Sequence, residues 1–121
     1  MAKILIIDDS VEARNLVGRF LSAKGFDVST ADDGVDGVAK ARLVLPDLIL
    51  MDLNMPVMTG FEATRQLKSD QTLKHIPVVA LSAESDGGSR DEIYEAGCEG
   101  FVSKPIDFPR LVPTIEKFLD S

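Results

Sequence analysis

The run Leu48-Ile49-Leu50-Met51-Asp52-Leu53-Asn54-Met55-Pro56 decides how this chain folds, because four consecutive apolar residues pass straight into an acid and then a turn. A run this short and this apolar predicts a strand buried on both faces, the pattern of a parallel sheet. In open α/β sheets the carboxyl ends of such strands deliver the functional side chains. Asp52 stands at that end and is the candidate reactive group. Taken alone, an Asp after a strand is more often a turn former or helix cap than a nucleophile. The segments on either side carry the decision.

Upstream, Ile4 to Ile7 predict a β-branched buried strand that ends at the paired acids Asp8-Asp9. Ser10 is placed to cap a helix in which Ala13, Leu16, Val17, Phe20 and Leu21 recur at helical spacing, with Glu12, Arg14 and Arg19 off that stripe and Gly25 as the stop. A second strand over Asp27 to Ala31 leads through Asp32-Asp33-Gly34 to a helix with Val35, Val38, Ala39 and Leu43 as its apolar positions, ending before Pro46. The third strand runs from Leu48 to Leu53. Downstream, a helix starting near Thr59-Gly60 carries Ala63, Thr64 and Leu67, and Val78 to Leu81 form a fourth strand that ends in Ser82-Ala83-Glu84. The turn-forming stretch Ser85-Asp86-Gly87-Gly88-Ser89 predicts a loose amino end for a helix over Arg90 to Ala96 with Ile93 inward. A fifth strand, Gly100 to Ser103, finishes at Lys104-Pro105. The last helix carries Leu111, Ile115, Phe118 and Leu119, and Pro113 predicts that it starts late, near Val112, or has a distorted first turn.

Five repeats of strand then helix with short connections imply an all-parallel α/β sheet, doubly wound with helices on both faces, in one domain spanning residues 1–121. In such a fold every strand's carboxyl end lies on one rim. Asp8, Asp9, Asp52, Ser82 and Lys104 therefore converge, although they are far apart in sequence.

Composition narrows the function. The net charge of −7 and a pI near 4.6 argue against a direct DNA-binding or anionic-membrane surface, since both are held largely through Lys and Arg. No stretch is long enough for a signal or membrane span, so a cytoplasmic protein is expected. The single cysteine, Cys98, excludes an intrachain disulfide and reads as a small buried residue beside a turn. His75 falls in the loop before the fourth strand, on the edge away from the rim.

Carboxylates crowded on one rim repel each other unless a cation lies between them. Oxygen ligands without His or Cys point to Mg²⁺ rather than zinc. The Lys104 ammonium and the Ser82 hydroxyl complete a set that can neutralise a phosphoryl group approaching an Asp52 oxygen, which would give an acyl phosphate.

The residues Asp8-Asp9, Met51-Asp52-Leu53-Asn54-Met55-Pro56 with Gly60, Leu81-Ser82-Ala83 and Lys104-Pro105 stand at matching strand ends, and with them the chain resembles a response-regulator receiver domain of the CheY-like superfamily, end to end. The segment Cys98 to Ile106 is similar to single-domain regulators of the DivK sort and to receivers fused to hybrid kinases. The resemblance implies a flavodoxin-like sheet of order 2-1-3-4-5. It also implies that Asp52 accepts a phosphoryl group from the phosphohistidine of a sensor histidine kinase or histidine phosphotransfer protein, the domain catalysing its own phosphorylation and dephosphorylation. By the same resemblance Asp9, Asp52 and the Asn54 backbone carbonyl hold Mg²⁺, Asp8 acts through water, and Ser82 and Lys104 take the phosphoryl oxygens. Ser82 and Phe101 would form the switch, Asn54 and Glu84 would tune the phosphoryl lifetime, and the face of helix four, strand five and helix five would meet a downstream protein. Phe101 reads equally as a plain core aromatic.

Because the chain stops at Phe118-Leu119-Asp120-Ser121, a stand-alone regulator is expected, monomeric or weakly dimeric. A receiver module excised from a hybrid kinase or longer regulator is the rival reading. A haloacid-dehalogenase-like phosphohydrolase would need an acid where Asn54 stands, and a docking module that is never phosphorylated leaves the acids, hydroxyl and lysine unexplained.

Overall fold

The computed structural model describes residues 2–83 and 90–119. Strands and helices alternate as β1 (Lys3–Ile7), α1 (Val11–Ala23), β2 (Asp27–Ala31), α2 (Gly34–Val44), β3 (Leu48–Asp52), α3 (Gly60–Ser69), β4 (Val78–Ser82), α4 (Arg90–Ala96), β5 (Gly100–Ser103) and α5 (Phe108–Leu119). The five strands form one parallel sheet of order β2-β1-β3-β4-β5, the order the resemblance implied.

Alternation along the strands explains why their sequences are apolar throughout. Leu5, Ile7, Ile49, Met51, Val78 and Ala80 face one side of the sheet and pack with Val38 and Ala41 of α2, Ala63 and Leu67 of α3 and Ile93 of α4. Their neighbours Ile4, Ile6, Leu48, Leu50, Val79 and Leu81 face the other side, against Val17 and Leu21 of α1 and Leu111 and Ile115 of α5. Each fully buried Leu or Ile contributes roughly 1.5–3 kcal/mol, so a polar residue at any of these positions would undo the local strand. The central strand β3 is buried along its whole length. The next residue, Leu53, lies just past the strand, which ends one position earlier than the sequence suggests, although the Leu53 amide still donates to the Leu81 carbonyl at 3.3 Å.

Two helix faces differ from the sequence reading. In α2 the expected apolar positions Val35, Ala39 and Leu43 are exposed, and the buried face consists of Gly34, Gly37, Val38 and Ala41. A Cβ at Gly37 would fall 2.6 Å from the Ile7 side chain, so α2 lies too close to the sheet for larger residues. In α1, Val17 and Leu21 are buried while Leu16 is exposed, because the contact stripe passes beside it. The last helix begins at Phe108 rather than near Val112, with Pro113 inside it. Pro113 forfeits one backbone bond, toward the Pro109 carbonyl, while fully buried Leu111 and Ile115 hold the segment helical. α4 begins at Arg90 as expected; the predicted loose stretch before it lies outside the described residues.

Candidate functional site

Register assembles the site. Ile7 pairs with Met51 across β1 and β3, so the next residues along, Asp8 and Asp52, stand side by side. Ser82 pairs with Ser103 across β4 and β5, and the Lys104 amide donates to the Ser82 carbonyl at 2.8 Å. The Lys104 ammonium reaches back across the rim, 3.2 Å from Asp52 Oδ1 and 3.7 Å from Asp8 Oδ2. The Lys104–Pro105 peptide is cis. Asp8 and Asp52 are buried, at 1% and 3% exposure, whereas Asp9 is exposed.

One carboxylate oxygen from each of Asp8, Asp9 and Asp52 lies within 4.8 Å of the others. Asp8 Oδ1 accepts from the Ser10 amide at 2.9 Å, but the buried Asp8 Oδ2 accepts no hydrogen bond. A buried oxygen left in that state is costly unless a cation approaches it. Three convergent oxygens, one of them without a hydrogen bond and facing Lys104 at 3.7 Å, fit a hard divalent ion such as Mg²⁺. Burial is the largest influence on the Asp52 carboxyl, and together with the charge of Asp8 it pushes the pKa up to about 6. The charge and hydrogen bond of Lys104, and the Asn54 amide donating at 3.3 Å, pull the other way.

Local sequence holds these groups in place. Ser10 caps α1 by accepting from the Ala13 amide at 3.2 Å while its own amide fixes Asp8, so one residue starts the helix and orients the acid. Thr59 and Glu62 form a reciprocal capping box that starts α3. At Gly60 a Cβ would collide with the Asp52 carbonyl and lie 2.7 Å from Leu53 Cα, so only glycine lets α3 begin this close to the end of β3.

The structure thus brings Asp8, Asp9, Asp52 and Lys104 together. Ser82 stands on the same rim, half-buried, with its hydroxyl 3.5 Å from the Ala83 carbonyl. The Asn54 side chain is exposed, and Glu84 lies outside the described residues. Phe101 lies within β5, half-buried against the core, with the Arg90 guanidinium 5.1 Å above its ring. His75 is an exposed residue of the turn before β4. Cys98 is buried, and that burial pushes its thiol pKa up, away from reactive-thiol chemistry.

Sequence reasoning missed Arg14, whose guanidinium donates to the Asp8 carbonyl at 2.7 Å and ties α1 to the end of β1. Its position off the apolar stripe was legible; the direction it takes toward the strand end was not.

Comparison with known proteins agrees with this geometry. The family model of the response regulator receiver domain matches residues 4–116. The polar-differentiation response regulator DivK of Brucella ovis is 37% identical over 116 residues, covering 96% of this chain and 94% of the relative. The chemotaxis response regulator CheY4 of Vibrio cholerae superposes with a TM-score of 0.90 at 36% identity, over 98% of both chains. The receiver domain of the sensor histidine kinase PA1611 from Pseudomonas aeruginosa, solved with a magnesium ion coordinated in its active site cleft, superposes with a TM-score of 0.91 at 28% identity, over 99% of this chain and 98% of that one. Among the described residues, no helix is long and apolar enough to cross a membrane. The chain belongs to the response-regulator receiver family of two-component signalling.

Proposed function

We propose that residues 1–121 act as one phosphorylation-controlled receiver, in which Asp52 accepts a phosphoryl group from the phosphohistidine of a sensor histidine kinase or histidine phosphotransfer protein. The observation that carries this reading is the arrangement at Asp52: a buried carboxylate with an ammonium at 3.2 Å, beside a buried Asp8 oxygen that accepts no hydrogen bond and faces the same ammonium at 3.7 Å. Asp9, Asp52 and the Asn54 backbone carbonyl would hold Mg²⁺ directly, with Asp8 acting through water. Bound there, the ion supplies positive charge against the developing negative charge of the transferring group.

The chain's own residues do the rest. An Asp52 oxygen forms the new bond to phosphorus as the bond from phosphorus to the donor imidazole nitrogen breaks, and the electron pair leaves with the imidazole. Lys104 neutralises one phosphoryl oxygen, and the Ser82 hydroxyl donates to another after turning from the Ala83 carbonyl. That turn is the start of the switch. Movement of Ser82 is coupled to Phe101 in β5 and shifts a pre-existing equilibrium. The face of α4, β5 and α5 then meets a downstream protein, and a groove of about 260 Å³ between β5 and α5, reaching from Phe101 to Arg110 and Thr114, gives that face a concave feature. Asn54 and Glu84 set the phosphoryl lifetime. The protein works in the cytoplasm without direct DNA contact, as a monomer or weak dimer.

Incubation with acetyl phosphate and Mg²⁺, followed by mass spectrometry, tests the reading. A single phosphate adduct on Asp52 is expected, absent without Mg²⁺ and absent in Asp52→Asn. Continuous turnover of a small phosphomonoester without a stable adduct would instead make the chain a phosphohydrolase.

A further inference from the structure

The C-terminal half of α2 ends at the sheet edge opposite Asp52, where the Asp47 amide donates to the carbonyl of Lys3, the first residue of β1, at 2.8 Å. Two leucines stand on this end of the helix, Leu43 at 79% exposure and Leu45 at 51%. A lone exposed leucine is ordinary. Leu45, however, closes α2 in left-handed backbone, with φ 48° and ψ 65°, a conformation that glycine or asparagine adopts with less strain. It also precedes Pro46, whose ring favours extended backbone at that position. The fold gains little packing from either leucine, because α2 turns its glycine face to the sheet. A strained leucine close to an unpacked one is best explained by contact with something outside the chain.

Arg42, the neighbour of Leu43, also lines an open cleft of about 410 Å³ between α2 and α3, together with Arg65, Gln66, Ser69 and Asp70. In a chain of net charge −7, this lining is cationic. Its one acid, Asp70, is already engaged: one oxygen accepts from Arg42 Nε at 3.2 Å and the other from the Thr72 amide at 2.8 Å. Arg42 keeps its terminal N–H groups for a second carboxylate. The exposed Arg65 side chain makes no ion pair among the described residues.

We infer that the cleft and its two leucines bind an amphipathic helix of a partner protein, whose apolar side chains rest on Leu43 and Leu45 and whose carboxylates reach Arg42 and Arg65. Adjacent helices leave a groove that takes a third helix as a ridge, and exposed Ala39, one turn before Leu43, lets its backbone approach. The two guanidiniums select carboxylates and reject a basic helix. Attachment here leaves the rim around Asp52 free for phosphoryl transfer.

The test selects a phage-displayed library of random peptides, each long enough for several helical turns, on the unaltered full chain. Enriched peptides should carry apolar side chains at helical spacing with acids beside them, and the best binder, made synthetically, should shift the NMR signals of Arg42, Leu43, Leu45 and Arg65. Leu43→Ser and Arg65→Glu should each weaken that peptide about tenfold. Leu16→Ser, at a leucine 59% exposed on α1, should not. Leu45→Asn should weaken it while raising the melting temperature by about 3–6 °C. A selection that yields basic peptides, or none that shifts these signals, overturns the cleft. So does a lower melting temperature in Leu45→Asn, which would give Leu45 a role in folding. Self-association of the chain that Leu43→Ser and Arg65→Glu abolish, without peptide binding, overturns it in favour of a second copy. Labelling of the unaltered chain from acetyl phosphate should proceed equally with and without the peptide; slowing by the peptide would place it on the rim and also overturn the cleft. Absence of label in both cases would instead remove the phosphoacceptor reading and leave the cleft standing.

Discussion

Asp8 and Asp52 lie side by side at the ends of adjacent parallel strands, both buried, and share one counter-charge, the Lys104 ammonium at 3.7 and 3.2 Å. Two buried carboxylates with one cation between them leave the pair short of positive charge. Such a pit favours a proton or further positive charge, and its behaviour with pH follows.

The Asp52 pKa is raised from 3.8 to about 6, first by burial and then by Asp8. Between those values the folded chain binds more protons than the unfolded chain, so stability falls as pH rises through this window, and the cost is fully present above about 6. Asp52→Asn removes that cost and should stabilise the protein at neutral pH by about 1–3 kcal/mol. Urea denaturation without Mg²⁺ at pH 4.5 and pH 7.5 checks this: the gap between the two proteins should open at the higher pH. A gap that opens at the lower pH would refute the assignment.

Mg²⁺ should reverse the electrostatic cost. At tenfold excess over its dissociation constant the ion should add about 1.4 kcal/mol at pH 7.5, and less at pH 5, where Asp52 is protonated. Asp9 is exposed, so Asp9→Asn should change metal-free stability by no more than about 0.5 kcal/mol while removing the Mg²⁺ response. Calorimetric titration reads both effects on one sample.

Removing Lys104 leaves Asp8 and Asp52 facing each other without a counter-charge. Lys104→Ala is expected to cost about 2–4 kcal/mol at pH 7.5, to raise the Asp52 pKa further and to abolish stable labelling from acetyl phosphate. Because the charge repulsion is relieved by protonation, the stability deficit should shrink at pH 4.5. A deficit independent of pH would mean that Lys104 acts through packing alone.

Gly60→Ala drives a methyl group against the Asp52 carbonyl. The expected destabilisation is about 1–3 kcal/mol, accompanied by slower labelling as the end of β3 shifts. Thr59→Ala, which removes only the helix cap, should cost about 1 kcal/mol and leave the labelling rate unchanged. The contrast separates displacement of Asp52 from general loss of stability.

The local pattern determined the strands, the order of elements and the rim on which Asp8, Asp9, Asp52, Ser82 and Lys104 gather, because short continuous apolar runs and the right-handed parallel crossover leave few other arrangements. Helix faces were less legible. Large apolar residues usually mark the buried side, yet α2 buries Gly34, Gly37 and Ala41 and exposes Leu43, since the distance from helix to sheet decides which side chains fit. Only tertiary structure could place the Arg14 guanidinium on the Asp8 carbonyl, put α3 against Asp52 at Gly60 and turn Val57 outward with positive φ. The protonation of Asp52 belongs to the same group. It depends on how far water is excluded and on distances of a few ångströms between strands that sequence spacing does not encode.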